Sequence, residues 1–125
     1  MSFISLINSR TGEYIATSVL LADSFWLRLR GLLGRPPLKP YEGLWLIPCQ
    51  QVHMLGMHYA LSIWFINSKS EVCHIIDQLE PGKISPRIRE AVSIIEFPAG
   101  WGAKSDTNIG DNLSVKQLLK CPAHR

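Results

Sequence analysis

The sequence contains no apolar run approaching the roughly 18 residues that a membrane-spanning helix needs, so no such span is expected. Its first stretch, MSFISLINSRTGEYIA, lacks the basic start and uninterrupted apolar core of a secretory signal. A disulfide framework is missing too: the three cysteines, at positions 49, 73 and 121, are odd in number and unrelated in spacing. There is no basic stripe interleaved with aromatics, and the formal charge is only +3, so nucleic acid is not a favoured partner. Internal repeats and low-complexity segments are also absent. Together these absences leave a reduced, soluble, cytoplasmic protein as the expectation.

What is present fits one globular domain over residues 1–125. Hydrophobic residues make up 46% and charged residues 18% of the chain, far from the composition of disordered sequences. That length can bury a core without covalent staples. Two β-leaning runs, SFISLIN and YIATSVLLA, flank the turn signal NSRTGE and read as a hairpin. Asp23 and Ser24 offer N-cap side chains to FWLRLRGLLG, where Phe25, Leu29 and Leu32 repeat at helical spacing. Gly34 and Pro36–Pro37 end that pattern, which predicts a short amphipathic helix near residues 24–33. GLWLIP, ALSIWFIN, VCHIIDQL and AVSIIEFPAG read as strands, and GDNLSVKQLLK as a final strand or short helix. In ALSIWFIN, Leu61, Ile63 and Phe65 share one face, and Ser62, Trp64 and Ile66 the other. Both faces are largely apolar, which predicts a central strand covered on both sides. The expected fold is mainly β: a compact sandwich or small barrel of short antiparallel strands with the one helix.

Residues 49–57, CQQVHMLGM, gather a thiol, an imidazole and two thioethers. Three readings compete. Cys49 and His53, with His58 beyond, are ligand types for soft or borderline ions such as Cu(I) or Zn(II), yet no paired second motif completes a set. Cys73 and His74 are neighbours on a strand and so face opposite ways. Alternatively Cys49 is a nucleophile activated by His53, with Glu96 or Asp77 as the orienting group, although no strand–turn–helix context accompanies it. On residue chemistry alone the favoured reading is packing, with Cys49, Met54 and Met57 filling core gaps and His53 buried and hydrogen-bonded. Elsewhere, Arg28, Arg30 and Arg35 form a small cationic group. Glu96 lies inside the apolar run VSIIEFP and needs a partner if buried, with Arg28 or Arg30 preferred. Asp111 after Gly110 is read as a turn residue.

Several stretches in order, RLRGLLGR (28–35), GLWLIPCQQVHMLGM (43–57), LSIWFIN (61–67), SIIEFPAG (93–100) and IGD (109–111), resemble the DUF192 family, also described as UPF0127. The likeness spans roughly residues 15–115. The family pattern falls on Arg28, Gly31, Leu32, Gly34 and Arg35, with Leu33 where the family has Met. It continues on Cys49, Val52, His53, Gly56 and Met57, then on Glu96, Gly100, Gly110 and Asp111. In the family's Pro-Leu-Asp, this chain has Ala60, Leu61 and Ser62, so the carboxylate is replaced by a hydroxyl. The resemblance implies a compact, mostly β fold and no established activity.

The resulting functional expectation is a small β-domain that binds an unknown small ligand or protein partner. Its pocket would lie near the Cys49–His53 motif, lined by candidates Arg28, Arg30, Cys49, His53, Met57 and Glu96. The alternatives are a thiol-dependent enzyme using Cys49 and His53, or a soft-metal-binding protein. No complete catalytic constellation is visible, and no cofactor or metal is assigned.

Overall fold

A computed structural model describes residues 2–22 and 32–117. The alternating apolar runs become seven strands: β1 (Phe3–Asn8), β2 (Tyr14–Ala22), β3 (Glu42–Leu46), β4 (Leu61–Ile66), β5 (Val72–Leu79), β6 (Ser93–Pro98) and β7 (Leu113–Gln117). They form one sheet in the order β5-β4-β6-β3-β2-β1-β7. The expected hairpin is β1–β2, whose turn uses Gly12 at φ 75°, a backbone conformation glycine adopts without steric cost. The final segment is a strand, β7, antiparallel to β1.

One expectation changes. The strands are not all antiparallel, because β2 and β3 pair in parallel, with Ser18 opposite Glu42 and Ala22 opposite Leu46. Residues 23–41 join them, a connection long enough for the crossover that a parallel pair requires. Most of the helix expected near residues 24–33 falls on 23–31, outside the described residues. The helix among the described residues is α1, Trp101–Lys104, a single turn.

The sheet curls into a half-barrel because its edges are drawn together at one end. Glu71 and Asn112 form a β-bridge, and the Val72 amide donates to the Asp111 carbonyl at 2.9 Å. The short helix α1 links β2 and β5 by hydrogen bonds. The Trp101 indole N–H donates to the Ile15 carbonyl at 2.9 Å, and the Gly100 amide to the Asp77 carbonyl at 2.7 Å.

Each face of the sheet has its own core. The inner core includes Leu6, Ile15, Trp64, Ile95, Phe97 and Trp101. The outer core includes Leu44, Leu61, Ile63, Phe65 and Ile94, and is covered by residues of the loops 47–60 and 80–92. β4 is buried along its whole length, with the two faces divided as its alternation predicts. The covering loops are stitched to each other. Met54 N–H donates to the Lys83 carbonyl at 2.7 Å, Ser85 N–H to the Val52 carbonyl at 2.9 Å, and Cys49 N–H to the Val92 carbonyl at 3.1 Å. Among the described residues, no helix is long and apolar enough to cross a membrane.

Candidate functional site

The CQQVHMLGM segment is an edge of this outer cover. Gln51 and His53 are exposed while Val52 and Met54 are buried, so the segment alternates between solvent and the outer core. Met54 is the most deeply placed of the four, at 0% exposure, and packs into the outer core as the packing reading expects. His53 departs from that reading. It is exposed, its Nδ1 accepts the Leu55 amide at 3.3 Å, and its backbone bridges to Ile84. Cys49 Sγ donates to the Gln51 carbonyl at 3.2 Å and packs, with Met57, against the outer core. The thiol and the imidazole are thus directed to different surroundings. Gly56 has φ 81°, and a Cβ there would lie 3.0 Å from Leu33 Cδ1, which explains a glycine at the position.

Glu96 is the anomaly on the outer face. β6 places it opposite Leu44 on β3 and Ile63 on β4, both core residues. It is buried, Oε1 has no hydrogen-bond partner among the described residues, and burial pushes its pKa up to about 7. The Tyr59 hydroxyl feels both its own burial and the Glu96 charge, which raise its pKa. That hydroxyl donates to the carbonyls of Arg35 at 3.1 Å and Pro36 at 3.3 Å, tying the 32–39 segment over this side of the sheet. The partners expected for Glu96, Arg28 and Arg30, lie outside the described residues, so the pocket set is only partly placed: Cys49, Met57 and Glu96 in the outer layer, His53 at its surface.

Asp77, the other group considered as an orienter for His53, belongs to a different network. Its Oδ1 accepts the Ser62 hydroxyl at 2.6 Å and the Gly102 amide at 2.7 Å, and its Oδ2 accepts the Ala103 amide at 3.1 Å. Ser62 in turn accepts the Trp64 indole N–H at 2.9 Å. The hydroxyl that stands where the family has Asp therefore connects a buried indole to a carboxylate that holds α1. Cys73 and His74 are also engaged structurally. The Cys73 thiol donates to the Phe65 carbonyl at 3.3 Å, and His74 packs on the Phe65 ring at 5.5 Å between centroids. Among the described residues, no three His, Cys, Asp or Glu side chains converge as a metal-ligand group.

Asp111 does more than make a turn. Its carboxylate accepts Arg10 Nε at 2.8 Å, Asn8 Nδ2 at 2.8 Å and the Asn108 amide at 2.8 Å. These donors, the Arg10 hydrogen bond foremost, hold its pKa down to about 2. No local signal links Arg10 to Asp111, because only the β1–β7 pairing brings them together.

The outer layer also contains a cavity of about 380 Å³ between β2–β3 and the 32–39 segment. Buried Leu20, Leu32 and Leu44 form its floor, half-buried Leu38 its side, and Arg35 and Lys39 its rim. Glu42 also lines it, with Oε1 accepting the Lys39 amide at 2.8 Å. Leu44, on the floor, is the direct cross-strand neighbour of Glu96.

Comparison with known proteins gives a consistent assignment. Residues 6–115 match the family model DUF192, described as "Uncharacterized ACR". A UPF0127 protein of Pyrococcus furiosus is 29% identical over 119 residues, covering 91% of this chain and all of that protein. A UPF0127 protein of Thermococcus sibiricus is 28% identical over 113 residues, covering 86% of this chain and 72% of that one. In the same fold is a crystal structure from Sinorhizobium meliloti, described as a candidate transcription regulator, with TM-score 0.78 and 24% identity over 91% of this chain and 92% of that one. A protein of unknown function from Novosphingobium aromaticivorans has TM-score 0.76 and 19% identity, covering 90% of this chain and 83% of that one.

Proposed function

The chain belongs to the DUF192 family, and since membership brings a fold without an activity, we propose from the outer-face cavity that it is a binding module for a small apolar-bodied carboxylate. The observation that carries this reading is the cavity itself, whose lining combines buried leucines with Arg35 and Lys39 against the single carboxylate of Glu42. Its volume of about 380 Å³ lies within the span of about 300–1,000 Å³ typical of ligand sites. An acyl or aryl body would displace water from the leucines, while the rim cations would face the head group. Cys49, Met57 and Glu96 share the outer layer with the cavity and, on this reading, form its backing. Cys49 and His53 have separate partners, so the thiol-enzyme alternative draws no support from their geometry. The same reading keeps the cytoplasm as the compartment, where the thiols of Cys49 and Cys73 would stay reduced.

The test is calorimetric titration with octanoate, octanol and octylamine. Octanoate should bind at one site, octanol more weakly, and octylamine least. Ser18→Trp, which puts an indole into the cavity from a half-buried position on β2, should abolish octanoate binding. Equal affinity for the three compounds, or an unaffected Ser18→Trp variant, would remove the basis for the reading.

A further inference from the structure

A second cavity, about 390 Å³, is lined among the described residues by Gln50, Arg87 and Arg89, none of which touches the leucine cavity. Gln50 is the second residue of CQQVHMLGM, and its whole amide group is engaged. The nitrogen donates to the Arg89 carbonyl at 3.1 Å and the Ala91 carbonyl at 2.9 Å. With the nitrogen committed to two acceptors, the oxygen must face the other way, toward Arg87. Arg87 donates Nε at 3.1 Å and Nη2 at 2.9 Å to that oxygen. The Ile88 amide donates to the Gln50 carbonyl at 3.1 Å, which fixes the two backbones relative to each other.

The charge accounting makes this cluster unusual. Arg87 is held in place by a neutral amide oxygen, so its orientation is set without an ion pair among the described residues. Arg89 has no side-chain hydrogen bond or ion pair among the described residues. No acidic side chain is among the cavity's lining. A guanidinium presents five donors in a rigid fork, so Arg87 keeps donors in hand after serving Gln50. Two arginines lining one cavity, with no acidic residue in that lining among the described residues, match an anion carrying more than two acceptor oxygens. A single carboxylate would be satisfied by one fork, whereas a tetrahedral phosphate can engage two forks set at an angle.

We propose that the Gln50–Arg87–Arg89 cavity is an anion site for phosphate or a small phosphomonoester, with Arg87 and Arg89 contacting the ligand and Gln50 acting as the positioning residue for Arg87. This site uses no residue of the leucine cavity and stands independently of the carboxylate reading.

The experiment is calorimetric titration of the full chain with inorganic phosphate and with phenyl phosphate at fixed ionic strength. Acetate and a short DNA duplex serve as comparison arms. Both phosphates should saturate a single site. Arg89→Ala should weaken them at least about tenfold, the scale of one lost charge-assisted hydrogen bond. Arg89→Lys should restore part of that loss. Gln50→Leu should weaken binding while leaving the stoichiometry at one, because it releases Arg87 and keeps both charges. An Arg35→Ala variant should bind phosphate like the parent. Several results would overturn the proposal: no saturable binding, an Arg89→Ala variant with parental affinity, loss of binding in Arg35→Ala instead, or acetate binding as tightly as phosphate. A DNA duplex that binds and is not displaced by phosphate would point to nucleic acid and away from this ligand class.

Discussion

Substituting Gln for Glu96 removes a titratable proton from the outer layer while keeping the side chain's shape. The buried carboxyl has a pKa of about 7 in the folded protein against an ordinary value of 4.5. Below pH 4.5 both folded and unfolded chains hold the proton, and the group contributes nothing. As pH rises toward 7, the unfolded chain releases the proton freely while the folded chain retains it, so stability is lost across that window. Above pH 7 the full penalty applies, about 3 kcal/mol from a raised pKa at about 1.4 kcal/mol per unit. Gln carries no such penalty. The stability advantage of Glu96→Gln over the parent should therefore widen by about 2.5 kcal/mol between pH 5 and pH 8. Urea unfolding of both proteins at the two pH values measures it, and histidine titrations common to both cancel in the difference. A constant offset between the proteins, or a Gln variant less stable at pH 8, would refute the assignment of Glu96 as a buried carboxyl with a raised pKa.

Other outcomes follow from the same contacts. Met54→Ala should cost about 2–5 kcal/mol in a urea melt, since the side chain is fully buried, while His53→Ala should change stability by less than about 0.5 kcal/mol. Ser62→Ala should cost about 1–3 kcal/mol by leaving the Trp64 indole N–H without its acceptor. Ser62→Asp should lose more stability at pH 7 than at pH 4, because it sets a second carboxylate against Asp77. Asp111, with its pKa held at about 2, contributes stability above its ordinary 3.8 that disappears as pH falls through 2. Asp111→Asn should accordingly be less stable than the parent at pH 6, with the gap closing in acid melts near pH 2.

Much of the sheet is legible in the residue pattern because burial on one or both faces imposes a period of two on the chain. ALSIWFIN shows this directly: both of its apolar faces correspond to real cores. The parallel β2–β3 pair is not legible, since nothing in either strand encodes the direction of a neighbour that arrives after a long connection. The site divides in the same manner. Glu96 stands out in sequence as a carboxylate among apolar residues, and its burial follows. The closeness of Cys49 and His53 in sequence misleads, because a spacing of four brings side chains together on a helix and this segment is not one. Arg87 and Arg89 escape a search of the motif because they enter from another loop and meet Gln50 only through tertiary structure.

The pairing of β1 with β7 also has a meaning in time. Asn8 and Asp111 bond across 103 positions of sequence, so during synthesis the outer edge of the first strand waits for almost the last part of the sheet to be made. At about 5–20 residues per second, that edge stands open for roughly 5–20 s on each ribosome. An apolar β-hairpin with a free edge is a template for pairing with other chains. The protein therefore passes through its most aggregation-prone form before it is complete, and its yield in cells should depend on how well that interval is protected.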